Sequence, residues 1–269
     1  MSKTILITGA SSGIGKATAE HFQQKGWNVV ATMRNIEDGA DLSQHNNVLV
    51  TRLDVVDDAS IDSALTAATD KFGSIDVLVN NAGYGAGGPF EATPMDKIKR
   101  QFDVNVFGLL ATTQAVVPIM RKQGSGTIVN ISSIGGRVTL PMFSMYHGTK
   151  WAVEGITESL QYELEPVGIK MKIVEPGAIA TDFAGRSLDF NNDESLTEYQ
   201  GIVNALMGAM PEMMQNASPA SKVAQVIDDA IHGDKLRYLA GEDAEEMMQA
   251  RNTMTDREYL EMTKERFSL

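Results

Sequence analysis

Cysteine is absent from this chain of 269 residues, and histidine is rare, with four copies. The absence of cysteine excludes disulfide bonds, metal centres with Cys ligands and catalysis by a thiol. It is compatible with a reducing compartment, and we therefore expect a cytoplasmic protein. The four histidines are scattered along the sequence and do not have the spacing of metal ligands. We therefore expect no bound metal.

Positive charge and long apolar runs are also scarce. The chain has 23 Lys and Arg residues against 35 Asp and Glu residues, and its formal net charge is −12. Because nucleic acids attract cationic surfaces, this balance argues against general nucleic-acid binding. No apolar run approaches the ~20 residues needed to cross a bilayer, and the N-terminus lacks the charged and apolar regions of a signal peptide. We expect no membrane association.

Strand-like and helix-like segments alternate along the chain, and no linker rich in Pro, Ser or Gly interrupts them. This order predicts one α/β domain over residues 1–269, with a parallel sheet of about seven strands and helices on both faces. Pro118 lies inside one helical pattern and should bend or break that helix. The predicted strands are 3–8, 28–33, 48–53, 75–80, 126–131, 170–175 and 237–239, and the predicted helices are 14–25, 59–72, 95–122, 146–166 and 220–232.

The first predicted strand leads into a glycine-rich turn. Its sequence is GASSGIG, with glycines at Gly9, Gly13 and Gly15, and a helical pattern follows. Glycines let a backbone turn tightly and approach a pyrophosphate, whose charge is attracted by the free N–H groups at the start of a helix. The spacing is GxxxGxG rather than the commonest dinucleotide fingerprint, GxGxxG. The turn therefore indicates either a dinucleotide-binding loop or close packing of a strand against a helix.

A second pattern joins a phenol and an ammonium group. Tyr146 and Lys150 are four residues apart in a predicted helix, and residues at this separation share a face. A protonated Lys favours the phenolate, so we expect it to lower the pKa of Tyr146 from the ordinary value of about 10. A Tyr tuned in this way can exchange a proton with an alcohol or ketone oxygen. The pair alone is weak evidence, since Tyr and Lys occur at this spacing by chance on many helices.

Taken together, these segments resemble the short-chain dehydrogenase/reductase family, in its single-domain branch. The resemblance covers about residues 3–239 in the family's order and spacing. It implies a Rossmann-type, doubly wound α/β fold and hydride transfer between a nicotinamide and a carbonyl or secondary alcohol. The matching motifs are TGxxxGIG at 8–15, NNAG at 80–83, a helix Asn at Asn105, a Ser thirteen residues before the Tyr at Ser133, YxxxK at 146–150 and PGxxxT at 176–181.

The resemblance also implies roles for individual residues. Ser133 would hydrogen-bond the substrate oxygen, Tyr146 would exchange a proton with it, and Lys150 would lower the pKa of Tyr146 and hold the nicotinamide ribose. Asn105 would help to hold a water that links Lys150 to solvent. We assign no chemistry to His147, which helical geometry turns onto another face from Tyr146. The implied cofactor-binding residues are Gly9, Ser11, Ser12, Gly13, Ile14, Gly15, Asn81, Ala82, Gly83, Tyr146, Lys150, Pro176, Gly177 and Thr181.

The choice of nucleotide depends on the end of the second predicted strand. An acidic residue there would hydrogen-bond the ribose hydroxyls of NAD, but Met33 takes that place and Arg34 follows. A guanidinium group suits a 2′-phosphate, so we expect NADP(H) to be favoured over NAD(H). Against this, Arg34 could be a solvated loop residue, and Ser12 stands where many NADP-preferring relatives carry Lys or Arg. Asp54 is an expected adenine contact by resemblance.

The sequence gives fewer indications of the substrate than of the cofactor. The resemblance places it between Tyr146 and a lid, which we expect over residues 178–217. That segment is rich in Met, which adapts to irregular apolar shapes, although these side chains could equally pack in a helix core or at a subunit interface. No cationic residue stands out as an anchor for an anionic substrate, so we expect a neutral, fairly apolar ketone, aldehyde or alcohol. The expected pocket residues are Tyr84, Met142, Phe143, Phe183 and Met207.

Residues 242–269 lie beyond the family core and form a charged, helix-prone C-terminal extension. Their apolar side chains, mostly Met, allow the extension to cover the pocket, to contribute to an interface or to pack on the surface. The resemblance implies a homodimer or homotetramer, often built through helices 95–122 and 146–166.

The sequence therefore predicts an NADP(H)-dependent carbonyl reductase or alcohol dehydrogenase with Tyr146 as general acid/base. One alternative is a non-catalytic NADP(H) sensor, although relatives of that kind generally lose the Tyr or the Lys. A second alternative is an NAD-dependent alcohol dehydrogenase of the same family. A third is an epimerase or dehydratase of the extended branch, whose members usually have a longer C-terminal substrate domain and a different glycine spacing.

Overall fold

The alternating segments fold into a parallel sheet with helices on both faces. The computed structural model describes residues 2–181, 187–267 and 269. The strands of the described residues are β1 (Thr4–Ile7), β2 (Asn28–Met33), β3 (Val48–Arg52), β4 (Val77–Asn80), β5 (Gly85–Gly87), β6 (Gly126–Ile131), β7 (Ile169–Pro176), β8 (Ile179–Ala180), β9 (Leu188–Phe190), β10 (Ser218–Pro219) and β11 (Arg237–Ala240). Their α-helices are α1 (Gly13–Gln24), α2 (Asp58–Phe72), α3 (Met95–Phe102), α4 (Gly108–Gln123), α5 (Ser144–Leu164), α6 (Thr197–Gln215), α7 (Ala220–His232), α8 (Glu242–Thr253) and α9 (Asp256–Arg266).

Seven of these strands form the central sheet. Their order is β11-β7-β6-β4-β1-β2-β3, and every pairing is parallel. The chain first builds outward from β1 to β3 and then crosses back to β4 on the other side of β1. Open α/β sheets bind ligands at the carboxyl ends of the strands, beside such a reversal. The predicted Rossmann-type, doubly wound sheet is confirmed.

The core lies on both faces of this sheet. Ile5 and Ile7 of β1 belong to one buried cluster, and Leu6 between them belongs to the other. Successive side chains of a strand point to opposite faces, so a strand that is covered on both faces has to be apolar throughout. Phe22 of α1 packs in the first cluster, and Met120 of α4 packs in the second.

The predicted helix 95–122 is divided in the structure. The π-helical turn Asp103–Phe107 separates α3 from α4, and α4 continues through Pro118. Of the predicted bend or break at Pro118, the break does not occur, and the bend stays a prediction. The regular helix is interrupted instead around Asn105, where the backbone widens from i→i−4 to i→i−5 hydrogen bonding.

The run Met95–Gln123 is long and apolar enough, by length and composition, to cross a membrane. Sequence reasoning expected no such segment. Helices in the cores of globular proteins meet the same criterion, and Val116 and Met120 of this run are fully buried against the sheet.

Candidate active site

The loop between β1 and α1 leaves no room for a side chain at Gly15. A Cβ there would lie 2.3 Å from the carbonyl oxygen of Gly9 and 2.5 Å from Nδ2 of Asn81. The Asn81 amide donates to the carbonyl oxygens of Thr8 (2.9 Å) and Gly9 (3.1 Å), so the end of β4 holds the loop. Gly13 has a φ of +55°, a conformation that suits glycine. Contacts with residues that are distant in sequence therefore hold this loop, residues 9–15, which we call the cradle.

This cradle fits a pyrophosphate at the start of α1. The first N–H groups of a helix have no intrahelical partner and carry its positive dipole end. Ser12 occupies the N-cap position without accepting a cap hydrogen bond, and Ser11, Ser12 and Ile14 are half-buried around the turn. A Cβ on Gly13 would lie 3.5 Å from Cγ2 of Thr181, so Thr181 reaches the same turn from beyond β7. These residues are the ones expected to hold a dinucleotide.

The backbone after β4 is bound to the same loop. The Thr8 hydroxyl accepts hydrogen bonds from the backbone N–H groups of Asn81 and Ala82, both at 3.0 Å. Gly83 comes next, and a Cβ there would lie 3.1 Å from Oδ1 of Asn105. The predicted NNAG segment therefore joins the glycine loop to the π-helical turn.

At the nucleotide end, Met33 is the last residue of β2. Its side chain is 2% exposed, and a Cβ on Gly39 would lie 2.8 Å from its Cε, so Met33 points into the core. Arg34 is exposed at the carboxyl end of β2, and no carboxylate among the described residues pairs with it. Asp54 lies beyond the neighbouring β3, where its Oδ1 accepts from the N–H of Val56 at 3.3 Å. Arg34 is thus the cationic side chain available at this edge.

Three predicted catalytic residues meet at the carboxyl end of β6. The side chain of Ser133 lies near the phenol of Tyr146 and acts to lower its pKa. Lys150 lies one turn further along α5, with Nζ 5.8 Å from the centroid of the Tyr146 ring, and donates to the carbonyl oxygen of Ile131 at 2.9 Å. The Ser133 hydroxyl accepts from the N–H of Gly135 at 3.0 Å. The arrangement places a hydroxyl donor and a phenol side by side, with an ammonium group beneath the phenol.

Burial dominates the protonation of this group. Loss of water raises the pKa of Tyr146 above its ordinary value, and the hydrogen bond from Ser133 opposes the rise. Burial also lowers the pKa of Lys150 to about 8, against the negative charge of Glu154. The expectation that Lys150 brings the pKa of Tyr146 below 10 is therefore wrong for the protein's own groups. Desolvation penalises both charged forms, and the Lys150 ammonium is engaged by a carbonyl.

Asn105 uses its side chain to fix neighbouring backbone. Its Oδ1 accepts from the N–H of Tyr84 at 3.0 Å, and its Nδ2 donates to the Tyr84 carbonyl at 2.8 Å and to Oγ1 of Thr149 at 3.1 Å. Thr149 in turn donates to the carbonyl of Tyr146 at 2.8 Å. Both N–H groups of the amide are used in this way, so its expected part in holding a water for Lys150 stays a prediction.

The chain and its fold are similar to those of known proteins. Residues 3–192 match the family described as short chain dehydrogenase. An uncharacterized oxidoreductase of Schizosaccharomyces pombe is 40% identical over 230 residues, covering 85% of this chain and 96% of that protein. A short-chain dehydrogenase from Streptomyces avermitilis has a TM-score of 0.84 and 36% identity, over 98% of this chain and 95% of its own. This protein belongs to the short-chain dehydrogenase family.

Other family members link this dehydrogenase to nicotinamide cofactors. A Burkholderia phymatum enzyme in complex with NAD has a TM-score of 0.82 and 26% identity, covering 97% of this chain and 95% of its own. A Burkholderia cenocepacia enzyme in complex with NADP has a TM-score of 0.76 and 25% identity, with coverages of 96% and 95%. A 3-ketodihydrosphingosine reductase of Bacteroides thetaiotaomicron is 40% identical over 179 residues, 66% of this chain and 65% of that protein. These neighbours support a nicotinamide cofactor.

His147 is a structural residue of the site that sequence reasoning did not assign. It is 5% exposed, and its Nε2 accepts from the N–H of Leu140 at 2.8 Å. Its Nδ1, which therefore carries the proton, donates to the carbonyl of Gly135 at 2.8 Å. Burial lowers the pKa of His147, which favours this neutral form. The imidazole fastens the turn after Ser133 to the helix that carries Tyr146, and no periodicity in the sequence signals this.

An ion-pair network of the dehydrogenase lies one turn beyond Lys150 and was also missed. Glu175 is 2% exposed and pairs with Arg137 at 3.2 Å, while Arg237 pairs with Glu154 at 2.9 Å and Glu158 at 2.5 Å. Burial and the charge of Glu154 raise the pKa of Glu175 to about 7, against the two guanidinium groups. The network borders a cavity of about 510 Å³. These five residues come from four separate segments, so spacing along the chain does not group them.

The predicted substrate residues are brought together in part. Met142 has a φ of 67°, and its carbonyl accepts from the N–H of Gly88 at 2.8 Å. Phe143 follows, with its ring 6.4 Å from that of Phe190. Tyr84, whose backbone is hydrogen-bonded by the Asn105 side chain, is half-buried, and burial raises the pKa of its phenol.

Of the remaining two predicted pocket residues, only Met207 belongs to the described part of the chain. Met207 is 41% exposed on α6. Phe183 lies outside the described residues.

Residues 187–199 of the expected lid are attached to the body of the dehydrogenase. Strand β9 pairs with β5, so Leu188 lies opposite Gly85. Lys97 of α3 pairs with Asp189 at 2.9 Å, and the Tyr199 hydroxyl donates to Glu91 at 3.0 Å. These contacts place an apolar strand beside the loop that carries Tyr84.

Proposed function

We propose that this dehydrogenase transfers a hydride between NADP(H) and a carbonyl or secondary alcohol, with Tyr146 as general acid/base. The observation that carries the proposal is the shared position of Ser133, Tyr146 and Lys150 at the carboxyl end of β6, where Ser133 acts on the pKa of Tyr146 and Lys150 Nζ lies 5.8 Å from the centroid of the Tyr146 ring. That position adjoins the cradle of Gly9, Gly13 and Gly15 across the switch point of the sheet.

The protein's own groups would act on the substrate oxygen. A bound nicotinamide supplies or accepts the hydride. Ser133 donates a hydrogen bond to the carbonyl oxygen, and Tyr146 gives its proton to the alkoxide as it develops. Lowering a phenol pKa by three units takes about 4 kcal/mol of differential stabilisation. The protonated Lys150 and the positive charge of an oxidised nicotinamide would supply it together, against the burial that raises the pKa of Tyr146 in the protein alone.

The proposed preference for NADP(H) rests on Arg34. It is exposed at the carboxyl end of β2 without a carboxylate partner among the described residues, and a guanidinium group can bind a 2′-phosphate through two hydrogen bonds. NAD-dependent alcohol oxidation is the second candidate, and it is favoured by the Burkholderia phymatum relative in complex with NAD.

The proposed substrate is a neutral, fairly apolar ketone, aldehyde or secondary alcohol. Support comes from the rings of Phe143 and Phe190 and from the half-buried Tyr84. The similarity to a 3-ketodihydrosphingosine reductase, a name that describes a ketone substrate, agrees with this class. We further propose that residues 178–217 act as the substrate lid of a single domain and that the protein is a cytoplasmic homodimer or homotetramer.

The test is consumption of NADPH and NADH by purified protein with a panel of apolar ketones and aldehydes. Tyr146→Phe should bind NADPH about as tightly as the parent protein and lose turnover, because it lacks only the transferable proton. Tyr162→Phe is the matched control, since Tyr162 lies on the same helix and is 75% exposed. Turnover by Tyr146→Phe at the parent rate would overturn the acid/base assignment.

Nucleotide choice is tested separately with Arg34→Ala, and Arg121→Ala, an exposed residue of α4, serves as control. Arg34→Ala should weaken NADPH binding more than NADH binding, because only NADPH carries the 2′-phosphate. Equal losses for both nucleotides would contradict the phosphate role. Tight cofactor binding without turnover of any carbonyl, or of any alcohol with NADP⁺, would indicate a sensor instead.

A further inference from the structure

The first turn of α8 places a carboxylate against the segment that follows β7. Asp243 Oδ2 accepts a hydrogen bond from the N–H of Ala178 at 2.6 Å. A Cβ on Gly177 would lie 2.3 Å from both carboxylate oxygens, and a Cβ on Gly241 would lie 2.5 Å from Oδ1. The missing side chains of these two glycines therefore create the space that the carboxylate fills. Oδ1 is buried, and no residue of the described chain hydrogen-bonds to it.

The backbone that Asp243 holds joins β7 to the cofactor cradle. The N–H of Gly177 donates to the carbonyl of Ala240 at 3.0 Å, and the carbonyl of Ala178 accepts from Ser218 at 2.9 Å. Three residues later, Thr181 reaches the start of α1. The course of the chain from β7 to Thr181 is thus set largely by residues of the C-terminal part.

The same extension also packs on the turn that carries Ser133. Ile134 and Val138 of that turn form a buried cluster with Ala244 and Met248 of α8 and Tyr259 of α9. One rigid helix pair therefore touches both loops at the carboxyl edge of the sheet, the one after β6 and the one after β7. Leu260 of α9 lies outside this cluster and is 54% exposed.

We propose that Asp243 is a positioning residue for the proposed reaction. Its carboxylate fixes the Gly177–Ala178 backbone. That backbone connects Pro176, whose carbonyl accepts from the Ser133 hydroxyl at 3.5 Å, with Thr181 at the cofactor cradle, so the extension sets the distance between Ser133 and the cradle. The effect on turnover rests on the proposed function, whereas the effect on the backbone does not. The charge is suited to this place, because the N–H groups at the start of α8 stabilise an anion and a charged acceptor forms the stronger hydrogen bond.

The test compares Asp243→Ala and Asp243→Asn with Glu242→Ala. Glu242 occupies the same first turn of α8 but is exposed, so its variant controls for loss of charge near the helix start. Hydrogen exchange at Ala178, thermal unfolding, NADPH affinity, kcat and KM are measured for each protein. Asp243→Asn keeps an acceptor oxygen for Ala178, so it should restore most of what the Ala variant loses.

We expect the Ala178 amide to exchange at least about 10-fold faster in Asp243→Ala, because a protecting hydrogen bond is lost. We expect kcat to fall by roughly 10- to 100-fold, since misplacement of reacting groups by about 1 Å has effects of this size. KM for the carbonyl should change less than kcat. Glu242→Ala should resemble the parent protein in every measurement.

The proposal would be overturned if Asp243→Ala showed the parent's rate of hydrogen exchange at Ala178 and the parent's kcat. It would also be overturned by a lower unfolding temperature with unchanged kcat, because that result indicates a structural role alone. If the Ala variant does not fold, Asp243→Asn decides: slow exchange at Ala178 with kcat within about 3-fold of the parent supports the proposal. An Asn variant that fails like the Ala variant contradicts it. If the parent protein turns over no carbonyl or alcohol, the proposed function fails, and Ala178 exchange and NADPH affinity still decide the role of Asp243.

Discussion

Gly15 gives the sharpest test of the cofactor cradle. In Gly15→Ala the new methyl group would lie 2.3 Å from the Gly9 carbonyl oxygen and 2.5 Å from Nδ2 of Asn81. Ordinary contacts between such atoms are roughly 3.5 Å, so the loop or α1 has to move by about 1 Å. One of these atoms is backbone and the other is held by two hydrogen bonds to Thr8 and Gly9, so neither can move alone.

The magnitude follows from two opposing contributions. Ala is favoured over Gly inside a helix by up to about 1 kcal/mol, whereas overpacking a close contact costs roughly 1–3 kcal/mol. We therefore expect Gly15→Ala to lower the free energy of unfolding by up to about 2 kcal/mol, the overpacking cost less about 1 kcal/mol of helix propensity. Because the displaced atoms frame the dinucleotide cradle, NADPH affinity should fall at least about tenfold, which corresponds to about 1.4 kcal/mol.

The control is Gly201→Ala in α6, where an added Cβ meets no atom within 4 Å. This variant should gain up to about 1 kcal/mol of stability from helix propensity and bind NADPH as the parent does. The measurements are thermal unfolding and fluorescence titration with NADPH. A Gly15→Ala protein that binds NADPH as tightly as Gly201→Ala would refute the cradle as described.

Two further predictions concern groups that sequence reasoning missed. The folded-state pKa of Glu175 is raised from 4.5 to about 7, so the folded protein binds more protons than the unfolded chain between these values and loses stability as the pH rises through them. The unfolding free energy of Glu175→Gln minus that of the parent should therefore be more favourable to the variant at pH 8 than at pH 5. Denaturant unfolding of both proteins at both pH values measures this difference, and an equal difference at the two pH values would contradict the raised pKa. His147→Ala leaves the N–H of Leu140 and the carbonyl of Gly135 without partners, which should lower stability by about 1–3 kcal/mol. The same variant should lose more of its kcat than of its affinity for NADPH. Steady-state kinetics and a cofactor titration measure the two losses, and equal losses would contradict this prediction.

The features predicted correctly from the sequence are local. The bounds of β2 and β6 and of helix α7 agree with the predicted segments 28–33, 126–131 and 220–232. Each of these segments carries its own pattern of apolar side chains, with period 2 or 3.6 or a continuous apolar run, and burial on the sheet reinforces that pattern. The separation of Tyr146 from Lys150 is likewise a property of one helix.

The features that were missed or wrong depend on packing. Pro118 was expected to bend or break its helix because proline lacks a backbone N–H group. The helix is interrupted instead at Asn105, whose buried side-chain amide binds the backbone of Tyr84 in a different loop. The pKa of Tyr146 was expected to fall because a cation lies nearby in sequence, whereas the folded protein removes the water that would stabilise a phenolate. Neither effect can be read from the residues of one helix.

The sequence by itself determined the order of strands and helices, the glycine turn at Gly13 and the shared face of Tyr146 and Lys150. These follow from backbone geometry within about a dozen residues. Only the tertiary structure decided that Asp243 holds Ala178, 65 positions away along the chain, and that Asn81 holds the carbonyl of Gly9. Such contacts form where the carboxyl ends of parallel strands converge, and folding brings these ends together without regard to their separation in sequence.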